Sequence, residues 1–392
     1  MGGRDVRPAM TVFWEATGIL GWALAAIAAA GGLYGALAAI LTARYLAAPA
    51  GESAAFPAVS LLKPLHGAHP GLAKALESFC VQDYPGSVQI LFGVESDDDP
   101  AADGVRALRA RHPALDIALI VDPRLHGPNR KVSNLINLAG RARHEILILS
   151  DADIAVGRGW LRAVVAALKA PGVGAVTCLY TGESAGNLWS RLAAMGIGYR
   201  FLPDVVLGLK LGMAHPCFGS TIALSRRTLA AIGGFEAVAD TLADDYEIGR
   251  AVRRLRLAVA IPPITVSHLC HEASAKALFD HEIRWARTVR LIDPAGHAGT
   301  AITHALPLAL VAGALLGFTP AALGLIFTVF AVRIAAKLAI DAATGAIAGP
   351  WWLILARDVL SFAVFLASFA GRSVAWQGRR FEVGRGGALT EL

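Results

Sequence analysis

From Ile19 to Leu41 the chain carries no charged residue, and past Glu15 the apolar character reaches back towards Val12. At the rise of an α-helix such a run is long enough to span the hydrocarbon core of a bilayer. Arg4 and Arg7 precede it, as they would a cleaved leader. The apolar core is long for a leader, however, and Arg44-Tyr45 beyond it has the character of an interfacial stop. A retained anchor is expected. Two further apolar runs lie far downstream. His304–Phe330 is nearly charge-free with a Thr319-Pro320 break, and Trp351–Ala370 is interrupted only by Arg357-Asp358. Arg333 and Lys337 lie between them, so two or three C-terminal crossings are expected. Arg372, Arg379, Arg380 and Arg385 follow, and the positive-inside rule favours two crossings plus an interfacial or re-entrant piece. The expected division is a tail and anchor over 1–48, a soluble domain over 49–300, a membrane region over 301–375 and a basic tail over 376–392.

The chain has 55% hydrophobic against 17% charged residues and a mean hydropathy of +0.53. This surplus sits in the flanking runs, and the middle has the composition of a soluble domain. There, strands alternate with helices. Val59–Pro64, Val88–Val94, Ile117–Val121, Ile146–Leu149, Val173–Tyr180 and Ile222–Leu224 read as strands. Gly71–Cys80, Ala101–Arg111, Asn134–Arg141 and Trp160–Leu168 have helical spacing. The alternation implies parallel βαβ units, an α/β domain with a Rossmann-like, mostly parallel sheet. No G-x-G-x-x-G follows the first strand, which disfavours a dinucleotide-dependent dehydrogenase.

The net charge of +6 suits anionic headgroups and nucleotide diphosphates better than nucleic acid, for which no motif is present. The cysteines Cys80, Cys178, Cys217 and Cys270 lack CxxC spacing and read as reduced thiols. His268-Leu269-Cys270-His271-Glu272 has no second paired ligand set, so it reads as a strand-end cluster rather than a zinc site.

The strand Ile146–Leu149 stops at Ser150-Asp151-Ala152-Asp153. Open α/β sheets place ligands beyond the carboxyl ends of their strands, and an Asp-x-Asp pair there has hard oxygens to share one divalent cation with a diphosphate. Acids also cap strands and start turns, so the pair gains meaning from what accompanies it. Glu95-Ser96-Asp97-Asp98-Asp99 closes the second strand, where acids can accept bonds from a uracil imide or ribose, or simply begin a turn. Gly127-Pro128-Asn129-Arg130-Lys131-Val132-Ser133-Asn134 offers Arg130 and Lys131 to phosphates, and Asn134 as a cap or ribose contact. Gly219, before the strand Ile222–Leu224, allows a ligand close to the backbone. The segment Ala185–Cys217 is apolar enough to lie at a bilayer interface and admit a lipid, or to pack on the core. Asp244-Asp245 can act as a general base or stabilise a helix start. Arg284, with Trp285 beside it, can face a departing diphosphate or meet lipid headgroups.

In this order the motifs resemble those of GT-A-fold, family-2-like glycosyltransferases, in the ceramide glucosyltransferase-like branch. That branch has three aspartate motifs and a final Gln/Arg-x-x-Arg-Trp. Asp151-Ala152-Asp153 matches the second motif, Asp245 the third, and Arg284-Trp285 the last, across Val59 to Thr300. The first aspartate falls on Ser96, between Glu95 and Asp97, and the last motif opens on His281. Within the branch, three segments are similar to hopanoid-biosynthesis glycosyltransferases: Arg124–Asn137, His215–Leu224 and His281–Thr288.

The resemblance implies an inverting, metal-dependent transfer from a UDP-sugar to a membrane lipid. Its finest form is N-acetylglucosamine moving from UDP-N-acetylglucosamine to bacteriohopanetetrol at the cytoplasmic face of a bacterial inner membrane. Ceramide or diacylglycerol glucosylation from UDP-glucose is the alternative, and a non-catalytic nucleotide-sugar-binding module is a third reading. The implied roles are catalysis for Asp245, Arg284 and Trp285, and donor binding for Glu95, Asp97, Lys131, Asn134, Asp151 and Gly219. Mg²⁺ or Mn²⁺ would sit on Asp151 and Asp153.

Overall fold

A computed structural model describes residues 7–51, 55–376, 379–384 and 388–392, so Arg4 and Arg385 lie outside the described residues. The soluble domain is built on strands β1 (Val59–Pro64), β2 (Val88–Val94), β3 (Asp116–Val121), β4 (Ile146–Leu149), β5 (Ile154–Ala155), β6 (Val173–Thr177), β7 (Leu179–Ser184), β8 (Ile222–Ser225), β9 (Ala258–Ala260) and β10 (Thr265–Cys270). Seven of them form one sheet in the order β3-β2-β1-β4-β8-β6-β9. All neighbours in it are parallel except β8, which runs against β4 and β6. Both faces are covered. Leu61, Ile90, Phe92 and Ile148 enter one apolar cluster, while Leu62, Leu91, Leu147 and Leu149 enter another. This two-sided burial is why these strands read as unbroken aliphatic runs.

Val173–Tyr180, expected as one strand, is two. Fully buried Cys178 marks the point where the chain leaves the large sheet for a small one of order β5-β10-β7. The helix expected from Asn134 begins at Arg130, because Asn129 caps it and accepts from the Val132 amide at 3.1 Å.

Among the described residues, four helices are long and apolar enough to cross a membrane: Thr17–Leu46, Leu188–Lys210, Pro320–Thr344 and Trp351–Ser368. The pair Pro294–Thr303 and Ala305–Leu315, bent by 65°, makes a fifth candidate. His304–Phe330, expected as one crossing, is therefore a helical hairpin broken at Thr319-Pro320. The first helix packs along it through small residues. Gly21 lies against Leu315 and Leu316, and Gly31 against the Ile302 carbonyl, where any Cβ would collide. The Leu188–Lys210 candidate lies packed against the domain, with a π-helical turn at Ile197–Phe201 in its middle.

The stretch expected as a basic tail folds into β11 (Ser373–Trp376), β12 (Arg379–Val383) and β13 (Leu389–Glu391), an antiparallel sheet. It docks on the soluble domain. The Leu389 amide donates to the Asp240 carbonyl at 2.9 Å, and Val374, Phe381 and Leu389 bury against Leu242. Any bilayer crossing made between the soluble domain and β11 is consequently matched by a return.

Candidate active site

The turn after β4 is held from below by Lys63, a fully buried lysine on β1. Its Nζ donates to the carbonyls of Asp151 (2.6 Å) and Ile154 (3.2 Å) and lies 4.1 Å over the Phe79 ring. Burial pushes this ammonium down to about 7 against the pull of Asp153 and Asp151. The turn presents Asp151 and Asp153 half-buried at the sheet edge. Asp153 Oδ1 is buried with no hydrogen-bond donor among the described residues, and His268 Nδ1 stands 3.7 Å away. Burial disfavours its charge, but His268, Lys63 and His69 outweigh burial and lower its pKa, so the carboxylate stays ionised. An ionised, buried oxygen without a donor is costly unless a cation meets it. A hard divalent ion fits this donor set. Among the described residues no three His, Cys, Asp or Glu side chains gather to hold a metal alone, so the remaining ligands would be oxygens of a bound diphosphate.

Gly219 joins this turn to the third motif. Its carbonyl accepts from the Asp151 amide (3.0 Å), and its own amide donates to Asp245 Oδ2 (3.0 Å). A Cβ at Gly219 would collide with Asp151 Oδ2 and lie 2.9 Å from Lys131 Nζ, so any side chain here would push the Asp151 carboxylate and Lys131 from their places. The helix Asp244–Arg254 begins at the two acids and turns them opposite ways. Asp244 is buried, 3.1 Å from Lys131 Nζ and 3.4 Å from the donating Asn129 Nδ2. Asp245 is half-buried and faces the cleft, with the Tyr246 amide on Oδ1 at 2.7 Å. Burial, then the neighbouring Asp244, pushes the Asp245 carboxyl up to about 6.

The far wall comes from the helix Ala275–Ile292. Burial holds the Arg284 guanidinium down to about 10, against the pull of Asp153 and Asp151. Trp285 is edge-on to His281 (4.2 Å) and His268 (5.8 Å), and His281 Nδ1 is 2.6 Å from buried Glu272. Behind this wall Arg357 forms a bidentate ion pair with Glu282 and donates to the Leu192 carbonyl at 3.0 Å and Ser361 Oγ at 2.8 Å. The remaining wall is Tyr180. Burial, then the charges of Asp245, Asp151 and Asp153, raises its pKa well above the usual value, so its phenol keeps its proton.

Asp151, Asp153, Gly219, Asp245, Arg284 and Trp285 thus surround one cleft. Other expected contacts lie differently. Lys131, expected at phosphate, is turned onto carboxylates, 2.7 Å from Asp151 Oδ1. Burial disfavours its charge, yet Asp151, Asp244 and Asp245 together raise its pKa. Asn134, expected at ribose, is buried and donates to the Gly93 carbonyl at 2.8 Å. Arg130 is held by Glu95 at 2.7 Å, while exposed Asp97 pairs with Arg106 on the next helix. Lys63, Asn129, Tyr180, His268 and Glu272 were not anticipated as site residues. Lys63 leaves a sequence signal, a single charge inside an aliphatic strand, and Asn129 another, as a helix-capping residue.

The solved mannosyltransferase of Pyrobaculum calidifontis, in complex with GDP-Man and Mn2+, superposes with a TM-score of 0.53 at 22% identity. The match covers 90% of this chain and 99% of that one. The likeness establishes a shared GT-A fold. Ceramide glucosyltransferase 1 of Caenorhabditis elegans is 26% identical over 236 residues, 59% of this chain and 49% of that protein. The ceramide glucosyltransferase of Candida albicans is 30% identical over 125 residues, 29% of this chain and 23% of that protein. The chain spans half or less of the length of these relatives. The family model described as glycosyl transferase family 21 matches residues 22–389, nearly the whole sequence, and the chain belongs to that family.

Proposed function

We propose that the chain transfers a sugar from a UDP-sugar to a hydroxyl of a membrane lipid, with inversion at the anomeric carbon. The observation that carries this reading is the Gly219 bridge. One glycine holds the Asp-x-Asp turn and the cleft-facing Asp245 in fixed relation, opposite Arg284 and Trp285. In this mechanism Asp245 takes the acceptor's proton as the acceptor oxygen bonds to the anomeric carbon, and the bond from that carbon to the diphosphate oxygen breaks. Arg284 faces the charge that develops on the leaving diphosphate. Trp285 walls the acceptor side. Lys131 lies between Asp151 and Asp244 and offsets part of their charge, so that Asp151, Asp153 and Asp245 can share one cleft with Asp244 behind it. A divalent cation, Mg²⁺ or Mn²⁺, on Asp151 and Asp153 would add Lewis-acid stabilisation of that diphosphate, in keeping with the Mn2+ named for the mannosyltransferase.

Ceramide as acceptor and glucose as the transferred sugar are supported by the names of the matched relatives, and UDP as its carrier by the motif resemblance. A second reading, N-acetylglucosamine onto bacteriohopanetetrol, is favoured by the similarity of Arg124–Asn137, His215–Leu224 and His281–Thr288 to hopanoid-biosynthesis enzymes. Detergent-solubilised protein given both UDP-sugars and both lipids, with product lipids read by mass spectrometry, decides between them. A hexose on ceramide is the expected product. An N-acetylhexosamine on the hopanoid establishes the second reading, and no lipid product with any pair overturns both. The catalytic domain is assigned to the cytoplasmic side of a bacterial inner membrane. Arg287 and Arg290 donate to the Ala370–Ser373 backbone beside Arg372, and Arg44 lies in the last turn of the first helix, so basic residues sit at the domain ends of these helices, as the positive-inside rule favours.

Asp245 must be ionised to accept a proton, and its carboxyl is lifted to about 6. Turnover is therefore expected to be full at neutral pH and to fall about tenfold per pH unit below that value. A pH–rate profile of kcat/KM at saturating metal checks this. A profile flat down to pH 5 would remove Asp245 as the titrating base.

A further inference from the structure

One side of the cleft is made of aromatic rings that the donor chemistry leaves unused. Tyr180 on β7, Phe201 at the end of the π-helical turn and Phe218 next to Gly219 form a triangle. Their centroids are 4.7 Å apart for Tyr180–Phe201, 5.2 Å for Phe201–Phe218 and 5.5 Å for Tyr180–Phe218. Each ring is half-buried, packed on the core on one side and accessible on the other. Beyond them the wall continues through His268, 5.9 Å from Tyr180, to Trp285. Tyr180 Oη meets no hydrogen-bond partner among the described residues.

The rings belong to an apolar cluster that runs without interruption to Ala39, Ala336, Ile340, Leu353 and Ile354 on the membrane-type helices. The π-helical turn that presents Phe201 is pinned from the same direction. Tyr199 Oη donates to Asp341 Oδ1 at 2.6 Å and accepts from the Ala348 amide at 3.0 Å, and Arg333 donates to the Tyr199 carbonyl at 3.2 Å. Single π-helical turns inside α-helices are costly and concentrate at functional sites. A sugar hydroxyl gains little from a phenylalanine face, whereas a hydrocarbon gains roughly 25 cal/mol per Å² it buries.

We propose that Tyr180, Phe201 and Phe218 form the acceptor subsite, which holds the apolar stem of a lipid immediately beside the hydroxyl that Asp245 deprotonates. Tyr180 Oη then donates a hydrogen bond to a second polar group on that lipid. The subsite rests on the lipid-acceptor reading above. It restricts the acceptor to an amphiphile whose hydrocarbon begins within a few bonds of the reacting hydroxyl, and it disfavours a growing sugar chain.

The test uses full-length protein in nanodiscs with UDP-glucose and N-octanoyl-sphingosine. For Phe201→Ala the lipid KM is expected to rise about tenfold, while the UDP-glucose KM and the slow hydrolysis of UDP-glucose by water stay at wild-type values. Phe201→Leu restores most of the loss. An unchanged lipid KM, or equal rises in both KM values, overturns the subsite. Wild-type protein is also irradiated with a sphingosine analogue carrying a diazirine beside its primary hydroxyl, with UDP present, and labelled residues are mapped by mass spectrometry. Labelling needs no turnover. Label on Tyr180, Phe201 or Phe218 without glucosylated product keeps the subsite and overturns ceramide glucosylation. Product with label confined elsewhere keeps the transfer reading and overturns the subsite.

Discussion

Asp245→Asn is expected to bind UDP-sugar with wild-type affinity and to lose turnover by about a thousandfold, within the range for removal of a positioned general base. The substitution is close to isosteric, and the amide oxygen can still accept from the Gly219 amide, so the bridge to Asp151 survives. What disappears is the capacity to take a proton. Calorimetric titration with UDP, beside initial rates under saturating donor and metal, separates the two effects. Unchanged turnover would remove the base assignment, while lost UDP affinity would move Asp245 into donor binding. Asp244→Asn serves as the contrast. That carboxylate is buried against Lys131 and Asn129, so its removal disturbs packing at the helix start.

Arg357→Ala carries the second largest expected effect. The arginine is 5% exposed, and its guanidinium is shared among Glu282, Ser361 and the Leu192 carbonyl. Truncation leaves the Glu282 carboxylate in the interior without its counter-ion, which costs about 3–5 kcal/mol. Glu282 lies two residues before Arg284 on the same helix, so the loosened segment is the one that carries Arg284. A large fall in Tm together with loss of turnover is expected from thermal unfolding in detergent and parallel rate assays. The double variant Arg357→Met with Glu282→Leu removes both charges and is expected to recover most of the Tm, since well-packed apolar replacements of buried ion pairs are often neutral. A single variant with wild-type Tm would show that the pair contributes nothing to holding the helix.

The strands β1–β4, β6 and β8 were legible because aliphatic runs buried on both faces leave a continuous signal, and the Asp-x-Asp turn because it ends such a run, whereas the short or mixed-polarity strands β5, β9 and β10 leave none. The limits are equally physical. Val173–Tyr180 has no break in hydrophobicity at Cys178, where the chain changes sheets. Adjacent Asp244 and Asp245 are chemically alike in sequence, and only the direction of the helix they start sends one inward to Lys131 and the other to the cleft. Asn129 and Asn134 both suit a helix start, and the structure gives the cap to the first and the Gly93 carbonyl to the second. Lys63 reaches a carbonyl 88 residues away, and Arg357 a carboxylate 75 residues away. Pairings over such distances carry no local periodicity. The interruption at Arg357-Asp358 was visible, yet its partners, Glu282 and Arg333, were not.

The strands that follow the membrane helices pair with Asp240 and Thr241, just ahead of Asp244 and Asp245. This fixes an order of events during biosynthesis. The segment carrying Asp245 emerges from the ribosome well before β13, and its backbone stays unpartnered at that edge while the helices between them enter the bilayer. A nascent chain halted before β11 would hold the Asp151 turn and the helix start at Asp244, but leave the backbone at Asp240 and Thr241 without its strand partners. The last strands close that edge only after the intervening helices have been made, so the C-terminal sheet is the final clasp of the domain.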